Sequence, residues 1–119
     1  MQKYMSLMLA LLFGMSGFAF ASDATTDASA KLYAAKCAMC HGKDFKGNPA
    51  MAKMFKLETS ALSLVSADVQ GKKDADLVTL ITKGKNKMPA FETKLKPEEI
   101  TGLVTYIRSV APKSSDSGK

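Results

Sequence analysis

The clearest pattern in the chain lies near its end. Ile100, Leu103, Val104, Ile107 and Val110 follow one another at the three- and four-residue steps of a single helix face. Pro97 suits a first helical position, Glu98 and Glu99 complement the positive end of the helix dipole, and Pro112 stops the run. The pattern predicts a helix over 97–110. A second helix is predicted over 74–83: Asp74 is placed to cap it, Leu77, Val78 and Ile81 make its apolar face, and Lys83 and Gly84 close it. Residues 28–40 contain neither Gly nor Pro and are rich in Ala, and Ala30, Tyr33, Cys37 and Cys40 recur at steps of three and four. That predicts a third helix with both cysteines on one stripe. Residues 51–71 mix apolar and polar positions without a period and read as loop with at most one short helical turn. No stretch alternates strongly enough to build a sheet, so the expected fold class is all-α.

The apolar run at the other end is of a different kind. Lys3 precedes residues 5–18, which are apolar apart from Ser6, Gly14, Ser16 and Gly17, and the run ends at Ala19-Phe20-Ala21. This is the pattern of a secretory signal peptide cut before Ser22. An uncleaved membrane anchor is the alternative, because residues 5–21 lie at the lower limit for spanning a bilayer. The expected organisation is a signal peptide over 1–21, a flexible polar leader over 22–28, one folded domain over 29–111 and a polar tail over 112–119. Cleavage would remove Lys3 alone among the charged residues and lower the formal charge from +6 to +5.

Composition narrows the class further. An apolar fraction of 46% argues against a disordered chain, and two cysteines are too few for a disulfide-dense scaffold. One His and one pair of thiols cannot close a four-ligand Cys/His zinc site by themselves. A folded part of fewer than 100 residues also has a thin core unless something fills or staples it.

The chemistry concentrates in Cys37-Ala38-Met39-Cys40-His41, the C-x-x-C-H spacing of covalent haem attachment. On a helix, positions i, i+3 and i+4 leave one face. Two thiols can then add to the two haem vinyl groups while the imidazole reaches the iron from the same side. A Cys-x-x-Cys pair could instead act as a dithiol oxidoreductase, but that motif calls for a βαβ setting which this sequence lacks. No second His exists to complete six-coordinate iron, so a methionine is the natural partner. Once the signal segment and Met39 are set aside, Met51, Met54 and Met88 remain. Met88 precedes Pro89 in Gly84-Lys-Asn-Lys-Met-Pro-Ala-Phe91, a stiff loop after a helix stop. Any of the three could equally fill core space.

With Cys37-x-x-Cys40-His41, Lys87-Met88-Pro89 and Leu103-Val-Thr-Tyr106-Ile-Arg108 in this order, the chain resembles the class I c-type cytochromes, of the small monohaem bacterial kind, over about residues 29–110. The resemblance implies that Cys37 and Cys40 form thioethers to one haem c, that His41 is the proximal ligand and that Met88 is the distal one. It implies a cytochrome c fold in which the first and last helices cross near Tyr33, Leu103 and Tyr106 and the connecting loops enclose the haem. The chain departs from the family in three places. Ser29 and Ala30 stand where a first-helix Gly is common, Pro49 is the nearest prolyl carbonyl that could orient the proximal imidazole, and no Trp is present to meet a propionate.

With both axial positions filled, the chemistry left is one-electron transfer, so the expected function is an exported, soluble electron carrier of the periplasm and not an enzyme. A haem enzyme or gas sensor with a labile sixth ligand is the alternative. Lys83, Lys85, Lys87, Lys94 and Lys96 surround Met88, and Lys43, Lys46, Lys53 and Lys56 follow the attachment motif, with Asp44 and Glu92 interrupting. A basic rim suits redox-partner proteins with an acidic docking surface. A monomer is expected, without nucleic-acid binding and without stable membrane insertion after cleavage.

Overall fold

The computed structural model describes residues 21–112. The expected signal peptide as far as Phe20, and the tail beyond Pro112, lie outside the described residues. Among the described residues the elements are α1 (Ala21–Lys36), α2 (Ala38–His41), α3 (Pro49–Phe55), a 3₁₀ turn (Thr59–Leu62), α4 (Ala67–Gln70), α5 (Asp74–Lys83) and α6 (Pro97–Val110). They contain no strand, only an isolated bridge between Lys85 and Met88. This is the all-α arrangement expected.

Helices α5 and α6 have the predicted bounds. Pro97 opens α6, and the Glu99 carboxylate accepts the backbone N–H of Lys96 at 2.7 Å. At the start of α5 the cap position is Lys73, and Asp74 is the first helical residue with no side-chain cap bond, so its contribution is to the helix dipole. Gly84 ends α5 at φ +71°, a conformation that costs a residue without a Cβ little.

Three segments differ from the sequence expectation. Helix α1 starts at Ala21, so residues 22–28 are helical and not a leader. Their small polar side chains look like those of a linker, but no Gly or Pro interrupts them, and Thr25, Thr26 and Ser29 line a groove with Thr101 and Gly102 of α6. Small residues are what a close helix crossing needs. Ser29 is buried, and a Cβ on Gly102 would lie 2.8 Å from its Oγ. The room for the crossing is therefore made on α6, opposite the place where the family often keeps its glycine.

The helix expected over 28–40 is broken once, at Cys37 (φ −117°, ψ −37°). The ladder continues across the break, with Cys37 N–H donating to Tyr33 O and His41 N–H to Cys37 O, each at 2.9 Å. Finally, the segment read as loop holds α3, the 3₁₀ turn and α4. Asn48 Oδ1 accepts the N–H groups of Ala50 (2.9 Å) and Met51 (3.4 Å) and Pro49 takes the first helical position. Asn48-Pro49 is a helix start, not a plain turn.

The core joins Tyr33, Leu77, Ile81, Phe91, Leu95, Ile100, Leu103 and Val104. Tyr33 marks the crossing of α1 and α6: its ring centroid lies 6.0 Å from that of Tyr106 and 4.3 Å from that of Phe45, and its hydroxyl donates to Gly42 O at 2.6 Å. Among the described residues, Leu103 and Val104 are the largest side chains wholly removed from solvent. Gly102→Val should therefore lower stability by roughly 1–3 kcal/mol through overpacking of the crossing. Thr101→Ala, on an exposed position, should stay within about 0.5 kcal/mol. Urea unfolding of the two variants checks the contrast.

Candidate functional site

His41 ends α2, and its orientation is fixed from a distance. Its Nδ1 lies 2.7 Å from the carbonyl oxygen of Leu62, the last residue of the 3₁₀ turn. A carbonyl only accepts, so Nδ1 carries the proton and Nε2 keeps a free lone pair for a metal. Burial holds the imidazole below its ordinary pKa and so favours the neutral form, while the hydrogen bond to the Leu62 carbonyl opposes this in part. The Leu62 carbonyl takes the part for which Pro49 was the sequence candidate. The loop after α2 makes this possible by folding back on it: Gly47 N–H donates to His41 O (2.8 Å) and Asn48 N–H to Cys40 O (3.0 Å).

Met88 is presented by a closed turn. Lys85 N–H donates to Met88 O at 3.0 Å, Met88 N–H donates to Lys85 O at 2.9 Å, and Asn86 between them adopts φ +54°. Both main-chain polar groups of Met88 are satisfied within the turn, and Pro89 has no N–H to place. Phe91 N–H and Glu92 N–H then donate to Ile81 O (3.0 Å) and Thr82 O (3.2 Å), pinning the loop to α5.

Two cavities lie in the cleft between these elements. One, of about 140 Å³, has Leu64, Val69, Leu77, Leu80, Leu103 and Ile107 in its apolar wall. The other, of about 130 Å³, has Cys40, Phe55, Leu62, Pro89 and Phe91 around it. Cys37, His41 and Met88 line both. The structure thus brings together all four residues singled out from the sequence. Of the competing methionines, Met54 is 67% exposed, and Met51 belongs to neither wall. Both cysteines are free thiols. Burial, and secondarily the neighbouring Cys40, pushes the Cys37 thiol up to about 11. That is the reverse of the lowered pKa a catalytic dithiol needs, so it weighs against the oxidoreductase alternative.

Sequence reasoning missed four contributors. Leu62 has no signal, because the fold selects its backbone and not its side chain. Lys36 lines the cleft beside Cys37 and Lys87, and its position immediately before the motif was the available clue. Ser63 and Lys72 lie in the wall of the first cavity. Of the lysines noted around Met88, Lys83 is paired with Glu92 at 3.0 Å and Lys94 lies 5.8 Å above the Phe91 ring.

These features are those of a c-type cytochrome domain. The family model described as cytochrome C oxidase, cbb3-type, subunit III matches residues 24–107, and the chain belongs to the c-type cytochromes. It is 34% identical to cytochrome c6 of Nostoc sp. over 110 residues, covering 90% of this chain and 92% of that protein. Against cytochrome c6 of Gloeothece citriformis it is 35% identical, covering 91% and 93%. The cbb3-type cytochrome c oxidase subunit FixP of Bradyrhizobium sp. is 35% identical over 85 residues, 70% of this chain but 27% of that subunit. Among solved structures, the KustC0563 c-type cytochrome superposes with a TM-score of 0.59 at 27% identity, covering 71% of this chain and 98% of that one. The cofactor of the family is covalently bound haem c, and the donor set fits it: one imidazole with a free Nε2, one thioether, two thiols at the cleft and a largely apolar wall.

Gly84 is what lets the Met88 turn close. A Cβ there would lie 2.5 Å from Met88 O and 2.7 Å from Ala90 N, at a φ that L side chains rarely adopt. Gly84→Ala should cost roughly 1–3 kcal/mol and speed amide exchange at Lys85 and Met88. Unchanged exchange at both amides would contradict this account of the turn.

Proposed function

We propose that the protein is an exported electron carrier whose haem is attached through Cys37 and Cys40 and ligated by His41 Nε2 and the Met88 sulfur. The observation that carries this reading is that His41 and Met88 line the same two cavities while the Leu62 carbonyl directs the free imidazole nitrogen away from itself. When bound, the haem iron supplies a reversible one-electron couple, and thioether ligation raises its potential relative to bis-imidazole ligation. The protein's own residues do the rest. Leu77, Leu80, Ile81, Leu103 and Ile107 line the cleft with apolar surface, the Leu62 carbonyl orients the imidazole, and the Lys85–Met88 turn holds the thioether. With His41 and Met88 both holding the iron, no open site would be left for substrate chemistry, which supports a carrier over an enzyme or gas sensor. No described helix is long and apolar enough to cross a membrane. The pattern of residues 1–21 supports export and work in the periplasm.

Spectra of protein matured in a host with working haem attachment test the ligand set. The wild type should show the weak sulfur-to-iron charge-transfer band when oxidised. Met88→Ala should lose that band, bind carbon monoxide when reduced and have a lower potential, with the haem still covalently attached. A band that survives in Met88→Ala would assign the sixth position to another group.

The partner reading follows from the cleft mouth. Lys36 and Lys87 line it, and the ion pairs among the described residues join Lys72 to Asp68, Lys83 to Glu92 and Arg108 to Asp74. Met39, 69% exposed, lies beside them. An apolar centre flanked by positive charge suits a transient contact with an acidic redox partner. Charge reversal at both Lys36 and Lys87 should slow reaction with an acidic partner about tenfold at low salt and flatten the salt dependence. Lys31→Glu, at the α1/α6 groove, should change the rate less than about twofold. Stopped-flow rates across ionic strength decide the matter.

A further inference from the structure

Arg108, in the last turn of α6, does more than close a surface ion pair. Its Nε donates to Asp74 Oδ1 at 2.9 Å, one terminal nitrogen reaches Gln70 O (2.7 Å), Gln70 Oε1 (3.3 Å) and Val69 O (3.4 Å), and the other donates to Lys72 O. The planar fork thus gathers the end of α4, the turn after it and the first residue of α5. Helix α4 has four residues and cannot hold itself. The Gln70 amide passes the tether on: its Nε2 donates to Leu64 O at 2.7 Å, and Leu64 N–H donates to Phe45 O at 2.8 Å. Two residues before Leu64 stands Leu62, whose carbonyl accepts the imidazole N–H of His41. Leu64, Val69 and Lys72 are themselves cavity wall.

We propose that Arg108 and Gln70 are positioning residues for His41, fixing through Leu64 the backbone segment that offers the Leu62 carbonyl to the imidazole. A lysine at 108 keeps the charge but cannot span five acceptor atoms spread over four residues. A glutamate at 70 keeps an acceptor for the guanidinium but has no N–H for Leu64 O. The second change separates holding the loop to α6 from holding the Leu62 carbonyl in place.

The proposal rests on His41 being the axial ligand, which the wild-type spectrum tests on its own. If wild-type protein shows no imidazole ligation, the ligand reading fails; if it does, the variants decide the positioning role. The experiment measures solvent exchange of the His41 Nδ1 proton by NMR, together with the midpoint potential, in reduced holoprotein of the wild type, Gln70→Glu, Arg108→Lys and Asp74→Asn. Gln70→Glu and Arg108→Lys should each speed that exchange at least about fivefold and shift the potential. Asp74→Asn, which loses only the pair to an exposed carboxylate, should stay below about fivefold. If Arg108→Lys fails to mature, Gln70→Glu alone carries the comparison. Exchange in Gln70→Glu within about fivefold of wild type, or an equal acceleration in Asp74→Asn, would overturn the proposal.

Discussion

The hydrogen bond between His41 and the Leu62 carbonyl decides which imidazole nitrogen faces the cleft, and the chain between these residues is organised around it. The loop after α2 returns on itself through Gly47 and Asn48, whose N–H groups reach His41 O and Cys40 O. Asn48 then caps α3 with its side-chain oxygen and donates to Met39 O with its amide nitrogen at 2.8 Å. One side chain thereby fastens the new helix to the attachment motif. Helix α3 ends at Lys56 in the left-handed conformation, which turns the chain toward the 3₁₀ turn that carries Leu62. An imidazole held neutral, buried and in one tautomer requires a fixed acceptor, and these short elements deliver one where a long helix could not turn tightly enough.

The opposite wall is held by independent means. Met88 hangs from α5 through the Gly84 bend and the Phe91 and Glu92 amides, while His41 hangs from α1 through the Tyr33 contacts at Gly42 and Phe45. Helix α6 is the common backing, since Leu103 and Ile107 line the cleft between the two. Leu77, Ile81 and Leu103 belong both to the core cluster and to the cleft wall, so the cleft is part of the core and not an addition to it. A covalently attached apolar macrocycle is then a structural element as well as a redox centre, in keeping with the thin core expected of a domain this small.

What the sequence discloses follows from where the information is stored. Helices α5 and α6 were legible to within a residue or two because their apolar periodicity, Pro97 and Gly84 are local signals. Cys37, Cys40 and His41 stood out as candidates because covalent attachment demands C-x-x-C-H, whereas the residues alone left Met51, Met54 and Met88 open and the family resemblance favoured Met88. Helix α3 was lost because Asn48-Pro49 serves a turn as readily as a cap, and only the tertiary bond to Met39 distinguishes them. Residues 22–28 read as a leader because small polar side chains serve linkers and tight helix crossings alike. Which of these applies depends on Gly102, more than seventy residues away. The acceptor for His41 was unreadable in principle, since a backbone carbonyl leaves no mark in the side-chain code.

Charge shows the same division between composition and placement. The sequence offers a run of lysines on each side of the site, but their surroundings separate them physically. Lys83 faces Glu92, Lys72 faces Asp68 and Lys94 lies over an aromatic ring, so their fields are partly cancelled or directed locally. Lys36 and Lys87 line the cleft mouth with Cys40, Met39 and Pro89. Long-range attraction depends on the net field at that mouth, whereas electron transfer depends on the approach of apolar surface to it. On the docking reading proposed above, both requirements would meet in one small patch, and a small patch favours encounters that form quickly and dissolve quickly, which is the kinetic condition for an electron carrier.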